Sequence, residues 1–231
     1  MTEPVPALVT LHVWRVPPAK VATALLRMAT DRRRARRTPG VAFAKLLGTG
    51  NGRTFTVRDS DPTRWAVLTT WTTAAAAEHY AVARSWDRIA TESWRVDLRP
   101  LSSRGTWSGR MPFGDPTPRR VDGPIVAITR ARLAPLKAAT FWRAVPPVSA
   151  ELHRSPGLLA AVGIGVAPVG LLGTLSVWRD STALRDFAHR GPEHKVAIAR
   201  TSSEGWYAEE LFARFEIVGS RGTLEGVDPL A

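Results

Sequence analysis

Hydrophobic and polar positions change period repeatedly along this chain, and the order of changes occurs twice. Residues 7–15 alternate with a period of two; residues 18–34 follow a helical period through Val21, Leu25, Leu26 and Met28; alternating apolar runs return at 41–48 and 64–71. A helical stretch at 73–90 and a strand at 94–101 complete the first set. The second set predicts a strand at 124–132, a helix at 135–150, strands at 157–165 and 170–178, a helix at 180–202 and a strand at 210–218. Strand, helix, strand, strand, helix, strand is the split ferredoxin-like unit. The expectation is an α+β protein of tandem ferredoxin-like repeats, 1–115 and 116–231, whose sheets meet as a single-chain version of a dimeric α/β barrel.

Matching residues tie the halves together. Ser103-Arg104-Gly105-Thr106 recurs as Ser220-Arg221-Gly222-Thr223, and Trp71 and Trp178 each close an apolar run before a helical pattern. The repeat bears on residues 155–178, which carry no charge and are long enough to cross a bilayer as a helix. Their counterpart, 41–71, contains Lys45, Arg53, Arg58 and Asp59, so a buried hairpin turning at Ala167-Pro168-Val169-Gly170 is expected instead. The repeat also has an exception: Trp178 to Ser220 is ten residues longer than Trp71 to Ser103. Length added to a duplicated scaffold is a place where function is inserted.

The added length contains DFAHRGPEHKVAIAR, residues 186–200. Gly191 ends one helical piece and Pro192 suits the first position of the next, where its missing N–H costs nothing. His194 then falls in the first turn of a helix over 192–202, and Ala197, Ile198 and Thr201 continue its face. A neutral imidazole above small and apolar neighbours suits haem iron; a solvated or structural histidine is the alternative that spacing leaves open. His189 lies across the break and cannot share that face, and His12, His79 and His153 read as structural. HRGPEH is one residue longer than the inverted zinc-protease spacing and has no obvious third ligand. GTGNGR at 48–53 reads as a hairpin turn, because its third glycine comes one position early and a strand follows. Glu209 and Glu210 are assigned to a short helix before LFARF.

Composition narrows the chemistry. The absence of cysteine removes disulfides, thiolate haem ligation, iron–sulfur clusters and thiol nucleophiles. A formal charge of +12 implies an anionic partner. Its densest run, DRRRARR at 31–37, reads as a solvated helix end that complements the dipole, with contact to a membrane surface as the alternative. No aromatics interleave with it, so nucleic acid is not expected. The N-terminal stretch lacks the pattern of a secretory leader, which points to the cytoplasm.

FAKLLGTGNGRTFT followed by DPTRWAVLTTW, then FAHRGPEHKVAIARTSSEGWYAEELFARF and a Gly-Thr close, resemble the spheroidene monooxygenase family and its bacterial relatives. The resemblance runs over nearly the whole chain and is most specific at 187–215. It implies a haem b monooxygenase, an oxidoreductase that oxidises a hydrophobic or specialised metabolite with dioxygen and an external electron donor. In the family the substrate is an acyclic carotenoid. Carried over, His194 is the axial iron ligand within the His-x-x-Ala element that ends at Ala197. Trp206 and Phe212 wall the cofactor, and Arg214 meets a propionate. No catalytic acid is declared. A haem dehydratase acting on a nitrogen-containing metabolite, as in the aldoxime dehydratases, and a non-catalytic haem- or anion-binding module remain alternatives on this scaffold. A small-molecule substrate, a peripheral membrane contact and a second copy of the chain complete the expected partners.

Overall fold

Alternation of apolar side chains produces eight strands among the described residues, and their pairing closes into a barrel. The computed structural model of the chain describes residues 3–53, 59–134, 137–165, 173–190 and 205–231. In the first half these form β1 (Leu8–Arg15), α1 (Val21–Arg37), β2 (Val41–Gly50), β3 (Ser60–Trp71), α2 (Ala74–Glu78), α3 (Ala81–Asp87) and β4 (Glu92–Gly105). The second half forms β5 (Ile125–Leu133), α4 (Ala138–Arg154), β6 (Leu158–Gly165), β7 (Gly173–Trp178), α5 (Ser181–Arg190) and β8 (Tyr207–Gly222). Every neighbouring pair is antiparallel, in the closed order β1-β3-β2-β6-β7-β5-β8-β4. Closure leaves no strand edge to solvent. The uncharged 155–178 stretch contributes the β6–β7 pair, and no described helix is long and apolar enough to cross a membrane.

Each strand turns one set of side chains into the barrel and the other outward. Val9, Leu11, Leu68, Val126, Val177 and Phe215 belong to the interior cluster. Leu8, Trp14, Leu46, Trp65 and Trp71 face outward beneath the helices of the first half. The halves are in matching register: Leu8 faces Trp71 as Ile125 faces Trp178. Joints at β2–β6, where Gly48 faces Gly165, and at β4–β8 close the circle.

The repeated tetrapeptide ends the two long strands that make the second joint. Gly105 and Gly222 have φ of +89° and +86°. A Cβ at either would lie 2.1 Å from the Glu210 carbonyl oxygen or 2.0 Å from that of Ser93, so only glycine fits. Each turn is then fastened by a glutamate from the opposite half. Thr106 Oγ1 and the Gly109 N–H donate to Glu209 Oε1 at 3.1 and 2.7 Å. Thr223 Oγ1 and the Gly226 N–H donate to Glu92 Oε1 at 2.9 and 2.6 Å. The residues after the two threonines, Trp107 and Leu224, enter the barrel interior.

Glu209 and Glu210 therefore lie in β8, not in a short helix. Pairing explains the correction: the start of β8 is held extended by β5 on one side, where Leu133 faces Tyr207, and by β4 on the other, where Gly105 faces Leu211. Partners on both edges override the local helix preference of Ala-Glu-Glu. The helical stretch expected at 73–90 is likewise two helices, broken at His79-Tyr80.

Candidate functional site

Of the residues singled out by sequence, His194, Ala197, Ile198 and Thr201 lie outside the described residues. Trp206, Phe212 and Arg214 are described. Trp206 is buried at the entry to β8, donates Nε1–H to Thr140 Oγ1 at 3.2 Å, and packs edge-on against Phe141 at 5.8 Å. It thereby ties the start of β8 to the first turn of α4. Phe212 and Arg214 occupy successive outward positions of β8, because Leu211, Ala213 and Phe215, which alternate with them, face the interior. The Arg104 guanidinium stands 5.0 Å over the Phe212 ring. Arg214 is exposed and makes no ion pair among the described residues.

The matching registers let the two outer faces be compared position by position. One row of the first half runs Leu46, Val67, His12, Arg95 across β2, β3, β1 and β4. Its counterpart runs Gly163, Thr174, Thr129, Phe212 across β6, β7, β5 and β8. One step further along, Trp14 of β1 answers to Ala131 of β5. Over the first row the space is filled by rings. His12 stacks on Trp14 at 5.5 Å, Trp14 on Trp86 of α3 at 5.4 Å, and Trp65 tilts toward Trp86 at 6.2 Å. Helices α2 and α3 pack on β1 to hold them there, whereas α4 packs on β6 and α5 on β7. No described helix packs comparably on β5, and Thr129 is exposed in the middle of its strand.

The outer face of the second half is thus a floor of Ala127, Thr129, Ala131 and Gly163. On one side stand Trp178 and Phe187, stacked at 5.3 Å, and on the other Phe212 and Arg214. Such a surface offers dispersion contact to a flat apolar group and one cation to an acidic substituent. Residues 191–204, which include His194, join the two ends of its frame, α5 and the Trp206 entry to β8. The barrel interior is closed by packed side chains, among them Trp107 and Phe113.

Arg130, which the sequence does not single out, and Glu209, which it places in a short helix, are structural determinants at the barrel end. Arg130 and Glu209 form a buried pair with Nη1 to Oε2 at 2.5 Å, and the guanidinium lies 5.5 Å from the Trp107 ring centroid. Burial pushes the Glu209 carboxyl up, but hydrogen bonds from Gly109, Arg130 and Ser108 outweigh it and bring the pKa down to about 2. A signal for Glu209 does exist: Glu92 and Glu209 each stand eleven residues before their copy of the Ser-Arg-Gly-Thr element.

His12 is a further buried titratable group. Its Nδ1 has no hydrogen-bond partner among the described residues, and burial, reinforced by Arg95 and Arg221, lowers its pKa from 6.5 to about 3. A base whose folded pKa lies below its unfolded value stabilises the fold above 6.5 and loses that contribution as pH falls toward 3. His12→Phe keeps a ring against Trp14 and removes the proton site. Urea denaturation at about pH 7 and about pH 4.5 should show the wild type losing about 2–3 kcal/mol that the variant retains. An identical pH dependence in both would refute the assignment.

No protein-family model matches the chain. It is similar to the spheroidene monooxygenase of Rhodobacter capsulatus, with 38% identity over 213 residues that cover 88% of this chain and 87% of that protein. Similarity to the spheroidene monooxygenase of Cereibacter sphaeroides is 34% over 197 residues, 83% of this chain and 60% of that protein. Among solved structures, an aldoxime dehydratase in complex with butyraldoxime superposes with a TM-score of 0.58 at 10% identity, over 91% of this chain and 79% of that one, a likeness of fold.

Proposed function

The chain belongs to the spheroidene monooxygenase family, and on that premise we propose that it oxygenates a long, hydrophobic, acyclic substrate of the carotenoid class, with haem b held on the outer face of β5–β8. The observation that carries this reading is the exchange of His12, Trp14 and Leu46 for Thr129, Ala131 and Gly163 at matched positions. The rings that fill the first half are missing where a flat macrocycle would rest in the second.

In this arrangement the imidazole of His194 would hold the iron, and the small or apolar side chains of Ala197, Ile198 and Thr201 would line the same site. Phe212 would bound the macrocycle at β8, Trp206 would brace the end of the ligand-bearing segment against α4, and the Arg214 guanidinium would meet a propionate. Haem, when bound, would supply activation of dioxygen with electrons from an external donor. The chain's own contribution would be to hold the group through His194 and to exclude water with the small-residue floor of Ala127, Ala131 and Gly163.

The test is spectroscopic first and catalytic second. Protein purified after haem-supplemented expression should carry a Soret band that is lost or shifted in His194→Ala. With dioxygen and a reductant it should add oxygen to an acyclic carotenoid presented in detergent. A colourless wild-type protein overturns the reading. A haem protein that dehydrates an aldoxime and leaves the carotenoid untouched moves it to the dehydratase alternative.

A further inference from the structure

The run of arginines at 31–37 plays no part in the site above, and the structure shows how it is presented. Helix α1 buries Ala24, Met28, Asp31 and Ala35 against the sheet. Its opposite face is divided along its length. The first turns expose Ala22, Leu25, Leu26 and Ala29, with Leu25 and Leu26 at 44% and 64% exposure. The last turns expose Arg33, Arg34, Arg36 and Arg37. The helix's acid, Asp31, faces inward and accepts the Trp86 Nε1–H at 3.2 Å, so it does not offset them. Among the described residues these four arginines make no ion pair, and Arg33 and Arg37 stand one turn apart, a spacing at which like charges repel. Lys45 lies within the same field: burial first, and then Arg36 and Arg130, hold its ammonium below the usual range.

We propose that the exposed face of α1 docks the protein on an anionic lipid bilayer, with Leu25 and Leu26 entering the headgroup boundary and Arg33, Arg34, Arg36 and Arg37 lying on lipid phosphates. A bilayer surface supplies both things this face lacks, an apolar layer beside a plane of negative charge. Nucleic acid would neutralise the arginines but leave the leucines in water, and α1 offers no aromatic ring to stack on a base. The purpose of the contact, access to a substrate dissolved in the membrane, rests on the proposed activity; its geometry does not.

The experiment is cosedimentation of the full chain with vesicles, read without haem or turnover. Binding is expected to mixed phosphatidylglycerol–phosphatidylcholine vesicles, to weaken with salt, and to be lost on phosphatidylcholine alone. At roughly fivefold per cation near an anionic surface, Arg33→Ser with Arg37→Ser should weaken binding about 25-fold. Leu25→Ser with Leu26→Ser should weaken it while the salt dependence persists. These side chains are exposed, and circular dichroism verifies that each variant is folded. Equal binding to both kinds of vesicle, or unchanged binding by either pair of variants, overturns the proposal. So does arginine-dependent binding to duplex DNA that ignores the leucines. A protein that turns over substrate in detergent yet ignores vesicles overturns the docking alone, and one that binds vesicles but takes up no haem overturns the activity alone.

Discussion

Glu209→Ala is expected to lower the free energy of unfolding by about 3–5 kcal/mol, because it leaves the buried Arg130 charge without its partner. Arg130 and Glu209 have side-chain exposures of 9% and 8%, so neither charge has water to fall back on. The same carboxylate accepts from Thr106 and from the Gly109 N–H, the donors that fix the turn before which Trp107 enters the barrel. Its counterpart makes an internal control. Glu92 accepts from Thr223 and Gly226 in the matching turn, but its cation, Arg15, is 3.6 Å away with 35% exposure. Glu92→Ala therefore strands hydrogen-bond donors but no buried charge and should cost about 1–2 kcal/mol. The pH dependence gives a second check. The folded pKa of Glu209, about 2, lies below its ordinary 4.5, so its contribution is complete above 4.5 and disappears as pH falls through 2. The difference between wild type and Glu209→Ala in urea denaturation should be flat near neutrality and close over that acid window. Equal losses for the two glutamates would show that the buried arginine does not set the difference.

How much of this was legible in the sequence depends on whether the relevant contact is local. Strands and helices followed from periodicity because Val9, Leu11 and Val13 alternate whatever they pack against. The repeated tetrapeptide was visible as letters, but its reason was not: Gly105 needs its conformation because Glu210, far along the chain, passes beneath it. Glu209 and Glu210 misled for the same cause, since a strand held on both edges does not reveal its partners locally. The candidate face shows the limit most clearly. Thr129, Ala131 and Gly163 are unremarkable residues of three strands, and their meaning appears only once register places them opposite His12, Trp14 and Leu46. Phe212 and Arg214, drawn from a family resemblance, fall on that same outward face. The histidine argument rests on residues outside the described structure, so the face supports the cofactor reading independently of it.

That independence permits a test which leaves His194 untouched. Thr129→Trp puts an indole in the middle of the open floor, between Thr174 and Phe212, where the first half carries the His12 ring. Because Thr129 is exposed and no described helix packs comparably on β5, the larger side chain has room in the haem-free protein. Its thermal unfolding should shift by no more than about 0.5 kcal/mol in stability. Haem would meet an occupied floor. An overpacked site costs about 1–3 kcal/mol, which weakens affinity roughly 5- to 150-fold. Titration of the apoprotein with haem, followed at the Soret band, should therefore show that loss in Thr129→Trp and near wild-type affinity in Thr129→Ser, with carotenoid turnover falling in step with haem content. Undiminished affinity in a folded Thr129→Trp protein would overturn the proposal that this face holds haem. The small residues of the second half would then need a different occupant, because a sheet that stacks His12 and Trp14 beneath a helix in one half gives them up for Thr129 and Ala131 in the other only if something else covers that face.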